Sequence, residues 1–187
     1  MTGHRAVADV KRVLAGIDEA LDRIEHAWAR RLLLVISPLA EGADCLVAER
    51  VLARPGGRLV VPLPLPQEDY LTDFTGDASR RKFLKLLARA ERIIQLPPAA
   101  TREAAYEAAG QYVLEHCDVL LAVWDGREVQ GEGGTGQIVA RGRAMGKPIV
   151  IVRAGNRIPG TRVATSLGEE QGRVLVERLT EERRGDG

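Results

Sequence analysis

The chain has 187 residues, enough for one domain with a substantial core and too few for two full nucleotide-binding domains. Its 27 basic and 26 acidic residues leave a net charge of +1, which gives no global field for gripping a nucleic-acid backbone or an anionic membrane, so any anion site must be local. No apolar run approaches membrane-spanning length, and Met1-Thr2-Gly3-His4-Arg5 lacks the apolar core of a secretion signal; the expectation is a cytoplasmic protein without a membrane segment. Cys45 and Cys117 each lie in apolar surroundings without a companion at metal-ligand spacing, so they read as buried free thiols and no metal site is expected.

Val7, Val10, Leu14, Ile17, Leu21, Ile24 and Trp28 recur at intervals of three and four, which places them on one stripe of a long amphipathic helix. The run Leu32 to Ile36 is nearly continuous apolar sequence, as in a strand covered on both faces, and it ends at Ser37-Pro38. Comparable buried strands are expected at Leu59–Val61, Arg92–Leu96, Val119–Val123 and Pro148–Val152. Helical patterns fall between them, at about Gly42–Ala53, Ser79–Ala90, Thr101–Cys117 and Thr135–Met145. Pro62, Pro64 and Pro66 lead out of the strand at Leu59 toward Tyr70–Phe74, which reads as a surface loop. Strands and helices in alternation imply an α/β fold, a mostly parallel sheet with helices on both faces and ligands at the carboxyl ends of the strands. The helix at Thr135 stops at Gly146-Lys147-Pro148, a glycine stop with proline blocking continuation. Beyond Arg153 the composition shifts to Gly, Arg and Glu, which divides the chain into a domain over 1–153 and a peripheral segment over 154–187. Val174, Val176 and Leu179 suggest a helix there, before a loose tail.

The richest segment is Asp118 to Gly126, a buried strand, followed by Gly131-Glu132-Gly133-Gly134-Thr135-Gly136-Gln137. The helix opening at Thr135 presents amides without intrahelical partners, and side-chain-free Gly133, Gly134 and Gly136 let an anionic group approach them. The same glycines would also serve merely to close a tight strand-to-helix connection. Asp125 is placed either to accept ribose hydroxyls or position a water, or to hold the turn by bonding its amides. Ser37, at the end of a buried strand, and the segment Glu41-Gly42-Ala43-Asp44 offer a hydroxyl and loop amides to a phosphate or ribose, with helix capping as the alternative role for Glu41 and Asp44. Glu103, Tyr106 and Glu107 share one side of a helix, as a pocket wall or a solvated face. Trp124 either packs in the core or stacks on a base. No evident nucleophile, metal cluster or base with an orienting partner is present.

Thr2-Gly3-His4-Arg5, Ser37-Pro38-Leu39-Ala40-Glu41-Gly42-Ala43-Asp44, and Trp124-Asp125-Gly126 with Gly133-Gly134-Thr135-Gly136 jointly resemble the SLOG superfamily, which unites Smf-type DNA-processing proteins with Lonely-guy-type phosphoribohydrolases. The likeness spans about residues 2 to 153 and is nearest to the stand-alone and TIR-associated bacterial branch. It implies a Rossmann-like three-layer fold and a nucleotide-derived ligand, NAD-derived or ADP-ribose-like, lying across Gly3, His4, Arg5, Ser37, Leu39, Glu41, Gly42, Asp44, Trp124, Asp125, Gly126, Gly133, Gly134, Thr135 and Gly136. No other cofactor is implied, and related proteins commonly form dimers or tetramers. Family members carry a full apolar strand before the Gly-His-Arg segment, so here either that start is truncated or the sheet lacks its usual central strand. The phosphoribohydrolases also carry a glutamate three residues after the threonine of the glycine motif, where this chain has Ile138. Binding or sensing is therefore the expected function. An N-glycoside hydrolase acting on a nucleoside monophosphate, with Asp125, Glu41 or Asp44 replacing the glutamate, is the alternative. Single-stranded nucleic-acid binding needs a basic groove that the charge balance does not supply.

Overall fold

The computed structural model describes residues 1–28, 32–127, 134–161 and 163–180. In chain order the elements are β1 (Thr2–Gly3), α1 (Val10–Ala27), β2 (Leu34–Ile36), α2 (Ala43–Leu52), β3 (Arg58–Leu63), α3 (Gln67–Tyr70), α4 (Asp77–Leu87) and β4 (Arg92–Gln95). There follow α5 (Arg102–His116), β5 (Leu120–Trp124), α6 (Thr135–Ala144), β6 (Ile149–Arg153) and β7 (Val174–Glu177). The strands pair as β1-β5-β6-β7 and as β2-β3-β4, all parallel except β6 with β7. Met1 N donates to the Ile36 carbonyl at 2.7 Å, which sets β2 beside β1. The chain thus builds outward from β1 through β2, β3 and β4, then returns to place β5, β6 and β7 on the other side. That reversal opens a crevice at the carboxyl ends of β1 and β5, the general ligand position of such sheets.

Side-chain alternation along β5 and β6 separates two cores. Leu121, Val123, Val150 and Val152 pack on one face, with Val13, Ile17 and Leu21 of α1 and Val47 and Val51 of α2. Leu120, Ala122, Trp124, Ile149 and Ile151 pack on the other, with Val113 and Leu114 of α5 and Ile138 and Val139 of α6. The unbroken apolar runs of β5 and β6 reflect this burial on both faces, and the result is an α/β, Rossmann-like three-layer arrangement. The central strand β1 is present but only two residues long, registered Thr2 to Ala122 and Gly3 to Val123. Helix α5 starts at a conventional cap, the Thr101 hydroxyl accepting the Ala104 amide hydrogen at 3.1 Å. Thr101→Ala should cost about 1 kcal/mol in urea unfolding; an unchanged midpoint would mean that the cap contributes nothing.

Three expectations are corrected. β4 is not a buried strand: it ends the sheet, bonded to β3 alone, and Ile93 is half exposed. Tyr70–Phe74 is not a surface loop. It is a helical turn whose Tyr70 and Phe74 rings are buried and pack edge to face 5.4 Å apart, with Phe83 completing the cluster, because aromatic area stabilises only when removed from water. The segment at Val174, Val176 and Leu179 contains no peripheral helix. Val174 and Val176 are two apart, a strand period, and β7 lies antiparallel on β6 with Val174 opposite Val152 and Val176 opposite Val150. An Arg143–Glu177 ion pair at 2.8 Å and the buried Gln171, whose amide bonds Gly155 N, Leu167 N and Ala8 O, fasten this segment to the sheet. The tail from 181 lies outside the described residues.

Candidate functional site

At the crevice, β1 and the residues after it are fixed from three directions. His4 N donates to the Val123 carbonyl and His4 O accepts from Ala43 N, both at 3.1 Å, which ties the segment to β5 and to the start of α2. The His4 ring is buried, and its Nε2 accepts the Asp125 amide hydrogen at 3.1 Å. That bond places the ring's own proton on Nδ1. Burial holds the His4 pKa below its ordinary value, with the Asp125 carboxylate opposing, so the imidazole is neutral at pH 7. Asp125 in turn accepts the Arg127 amide hydrogen at 3.0 Å. The pair closes the β5 turn, and of the two roles open to Asp125 the amide-holding one is realised.

Ser37 and Leu39 shape the next loop from behind. The Ser37 hydroxyl accepts the Leu39 amide hydrogen at 3.1 Å and donates to Asp44 at 2.9 Å, while Leu39, at φ 58°, is fully buried. Neither lines the cavity described next. Asp44 does, and burial raises its pKa to about 6 against the opposing charge of the Met1 ammonium and the bonds from Ser37 and the Ala40 amide. Glu41 lies farther out, accepting hydrogens from Thr75 N and the Thr75 hydroxyl.

These elements enclose a cavity of about 480 Å³. One wall is β1 and its continuation, with Gly3, His4 and Arg5; a second is Pro38, Ala40 and Asp44. A third is the amino terminus of α6, Gly134 to Ile138, and the fourth is the α5 face bearing Glu103, Tyr106, Glu107, Ala109, Gly110 and Val113. Gly134 has φ 119° and α6 has no side-chain cap, so its first amides face the cavity region with no intrahelical carbonyl to bond. The Arg5 guanidinium stacks over the Tyr106 ring, 4.9 Å from its centroid. The Tyr106 hydroxyl donates to Asp73 and accepts from Arg102 Nε at 3.2 Å, which fixes the ring edge. Burial, followed by the bond to Asp73, lifts the Tyr106 pKa above its usual value, so it stays a neutral phenol. Glu107 is ion-paired to Arg141.

Of the residues expected to meet a ligand, Gly3, His4, Arg5, Asp44, Gly134, Thr135 and Gly136 line this one cavity. Glu41 and Gly42 face its neighbour across Arg5. Ser37 and Leu39 lie beneath the loop, and Asp125 and Gly126 sit at the turn outside the cavity. Trp124 is a core residue, packed on the α6 side under the Arg143 guanidinium, so it is not a stacking platform; its Nε1 has no partner among the described residues. Gly133 lies outside the described residues. Two cavity groups gave no signal in the chain order. Arg157 and Asn156 come from the segment after β6 that reads as periphery, and Gly110 matters only because the Ile138 side chain fills the place of its missing Cβ. Among the described residues no metal-holding group of His, Cys, Asp or Glu forms, and no helix is long and apolar enough to cross a membrane. No family model and no curated protein matches the chain.

Proposed function

We propose that the chain binds and senses a nucleotide-derived small molecule, NAD-derived or ADP-ribose-like, and that it belongs with the SLOG proteins it resembles. The supporting observation is the convergence, on one cavity of about 480 Å³, of the uncapped α6 amino terminus, the Arg5 guanidinium and the clamped Tyr106 ring. Helix amides and a guanidinium fork suit a phosphate, while Tyr106 and the small-residue face at Ala109 and Gly110 suit a flat base. The protein is proposed to act in the cytoplasm as a homo-oligomer, without nucleic acid as a partner.

The second reading, N-glycoside hydrolysis of a nucleoside monophosphate, is favoured by one feature: Asp44 is a buried cavity carboxyl with a pKa near 6. Against it, Ile138 stands three residues after Thr135, the position at which the resemblance sets the phosphoribohydrolases' glutamate, and it offers no proton to transfer. Asp125 is spent on the turn.

Melting-temperature shifts with adenosine monophosphate, NAD and ADP-ribose, with chromatography for released base, test both readings. Binding without turnover is expected. Rapid turnover abolished by Asp44→Asn would overturn the sensor and establish the hydrolase. Arg5→Lys should weaken binding by roughly 1–3 kcal/mol, since an ammonium cannot copy the fork; if Arg5→Ala binds like the parent, the segment after β1 is not part of the site.

A further inference from the structure

On one side the sheet ends at β7, bonded to β6 alone. Arg153 N donates to the Arg173 carbonyl at 2.8 Å, and the alternation of an antiparallel ladder then turns the main chain of Leu175 and Glu177 toward β6 and that of Val174 and Val176 away from it. These outward amides and carbonyls have no hydrogen-bond partner among the described residues. The edge is apolar as well, since Leu175 and Val176 are each 38% exposed, and the run Val174-Leu175-Val176 has neither the charge nor the proline that commonly guards an open edge.

An antiparallel second copy must meet β7 through its own outward residues, so the longest overlaps are centred on Val174, on Leu175 or on Val176. Centring on Val174 sets Arg173 against the partner's Leu175, and centring on Val176 sets Leu175 against the partner's Glu177. Centring on Leu175 sets Arg173 against the partner's Glu177, Val174 against the partner's Val176 and Leu175 against the partner's Leu175. Only this register matches each charge with its opposite and each apolar side chain with another. The opposite edge of the sheet lacks that property. Glu91 N donates to the Leu59 carbonyl, which turns Arg92 and Ile94 of β4 outward, and self-pairing there sets Arg92 against an apolar residue or against the partner's Arg92.

We propose that β7 is the interface between two copies of this chain, paired antiparallel about a two-fold axis at Leu175, so that their sheets join edge to edge. Val174 and Val176 then exchange about four main-chain hydrogen bonds with the partner's Val176 and Val174. Glu177, which already holds Arg143 at 2.8 Å, lies between that guanidinium and the partner's Arg173. Because β6 separates β7 from β5, the crevice stays open in the pair. A single strand edge with its flanking side chains is a small contact, below about 1,200 Å², so the pair exchanges with monomer at roughly micromolar concentration. This gives the proposed homo-oligomer a definite contact and does not depend on the nucleotide reading.

Sedimentation velocity of the full chain over about 1–100 µM tests it, and a concentration-dependent equilibrium of monomer and dimer is expected. Arg173→Glu and Glu177→Arg, taken singly, each set like charges against one another at both ends of the contact, and each should weaken association by roughly tenfold or more. A one-to-one mixture of the two variants matches opposite charges again and should recover the dimer. Val176→Pro removes an outward N–H while leaving the ladder to β6 intact, and it should weaken association in the same way. Melting curves show which variants are folded; where a charge variant is not, Val176→Pro alone decides, and its unchanged association overturns the interface. Single charge variants that dimerise like the parent, or a mixture no more associated than its components, overturn the interface while leaving an oligomer through another surface. A parent that stays monomeric throughout overturns the interface and the proposed homo-oligomer together, and leaves the nucleotide reading to its own melting-shift test.

Discussion

Replacing Asp44 by asparagine should stabilise the folded chain at pH 7 by about 3 kcal/mol, the value of a pKa shift of about two units at about 1.36 kcal/mol each. Asp44 is almost fully buried, and its pKa rises from 3.8 to about 6 on folding, chiefly through desolvation. A carboxyl whose folded pKa is raised keeps its proton in the native state where the unfolded chain has lost it. Its contribution is therefore best below 3.8 and declines as pH rises to about 6, above which a buried charge is retained at full cost. Asparagine has the same shape and can still bond Ser37, but it carries no charge at any pH. Urea unfolding of parent and variant should converge near pH 4 and separate progressively up to pH 7. If Asp44→Asn is the less stable protein at pH 7, the carboxylate is compensated by bonds worth more than its desolvation.

A fold that keeps such a group gives up stability at one buried place, behind the wall of the larger cavity. Groups held at a pKa between those of ordinary acids and neutral pH concentrate where ligands or protons are handled, so the position of Asp44 agrees with a site at the crevice. The same group connects the two functional readings: it accepts a ligand hydroxyl if the chain only binds, and moves a proton if the chain hydrolyses.

The sequence made the sheet readable wherever a strand was buried on both faces. β5 and β6 are unbroken apolar runs because they sit between two helical layers, and the glycine turn before α6 stands out because amides must be bare there. The segment from Ser37 to Asp44 was readable as a strand end running into a helix start, whereas the pair His4-Arg5 was singled out by resemblance, since two residues of strand carry no periodicity. What stayed hidden depended on distance along the chain. Arg157 lines the same cavities as Arg5 from more than a hundred and fifty residues away, and no local pattern marks that. β4 looked buried because Ile93-Ile94 is apolar, yet its place in the order makes it an edge. Tyr70 and Phe74 follow three prolines that signal a loop, and only the Phe83 ring on α4 shows why they turn inward. Trp124 ends a strand beside the glycine turn, and its side-chain direction, set by the alternation along β5, sends it to the core.

Gly42→Ala should be the most damaging single-methyl change near the site. Gly42 precedes α2 at φ 92° and ψ −123°, backbone that side-chain-bearing residues rarely adopt, and a Cβ built there would lie 2.2 Å from the Arg5 carbonyl oxygen and 2.7 Å from that of His4. Strain of this kind costs about 1–3 kcal/mol, and overpacking against backbone adds about 1–3 kcal/mol more. The neighbouring atoms are main chain, and they are the atoms that orient Arg5, so they cannot move aside without opening the Ala43 N to His4 O bond. Gly76 provides the comparison: it too has positive φ, at 84°, but a Cβ there meets nothing within 4 Å. Gly76→Ala should therefore lose only the strain component in urea unfolding, while Gly42→Ala loses about twice as much and also weakens the proposed nucleotide binding through the displaced Arg5. Equal losses in the two variants would show that the segment after β1 yields freely, and that its packing on α2 does not position the guanidinium.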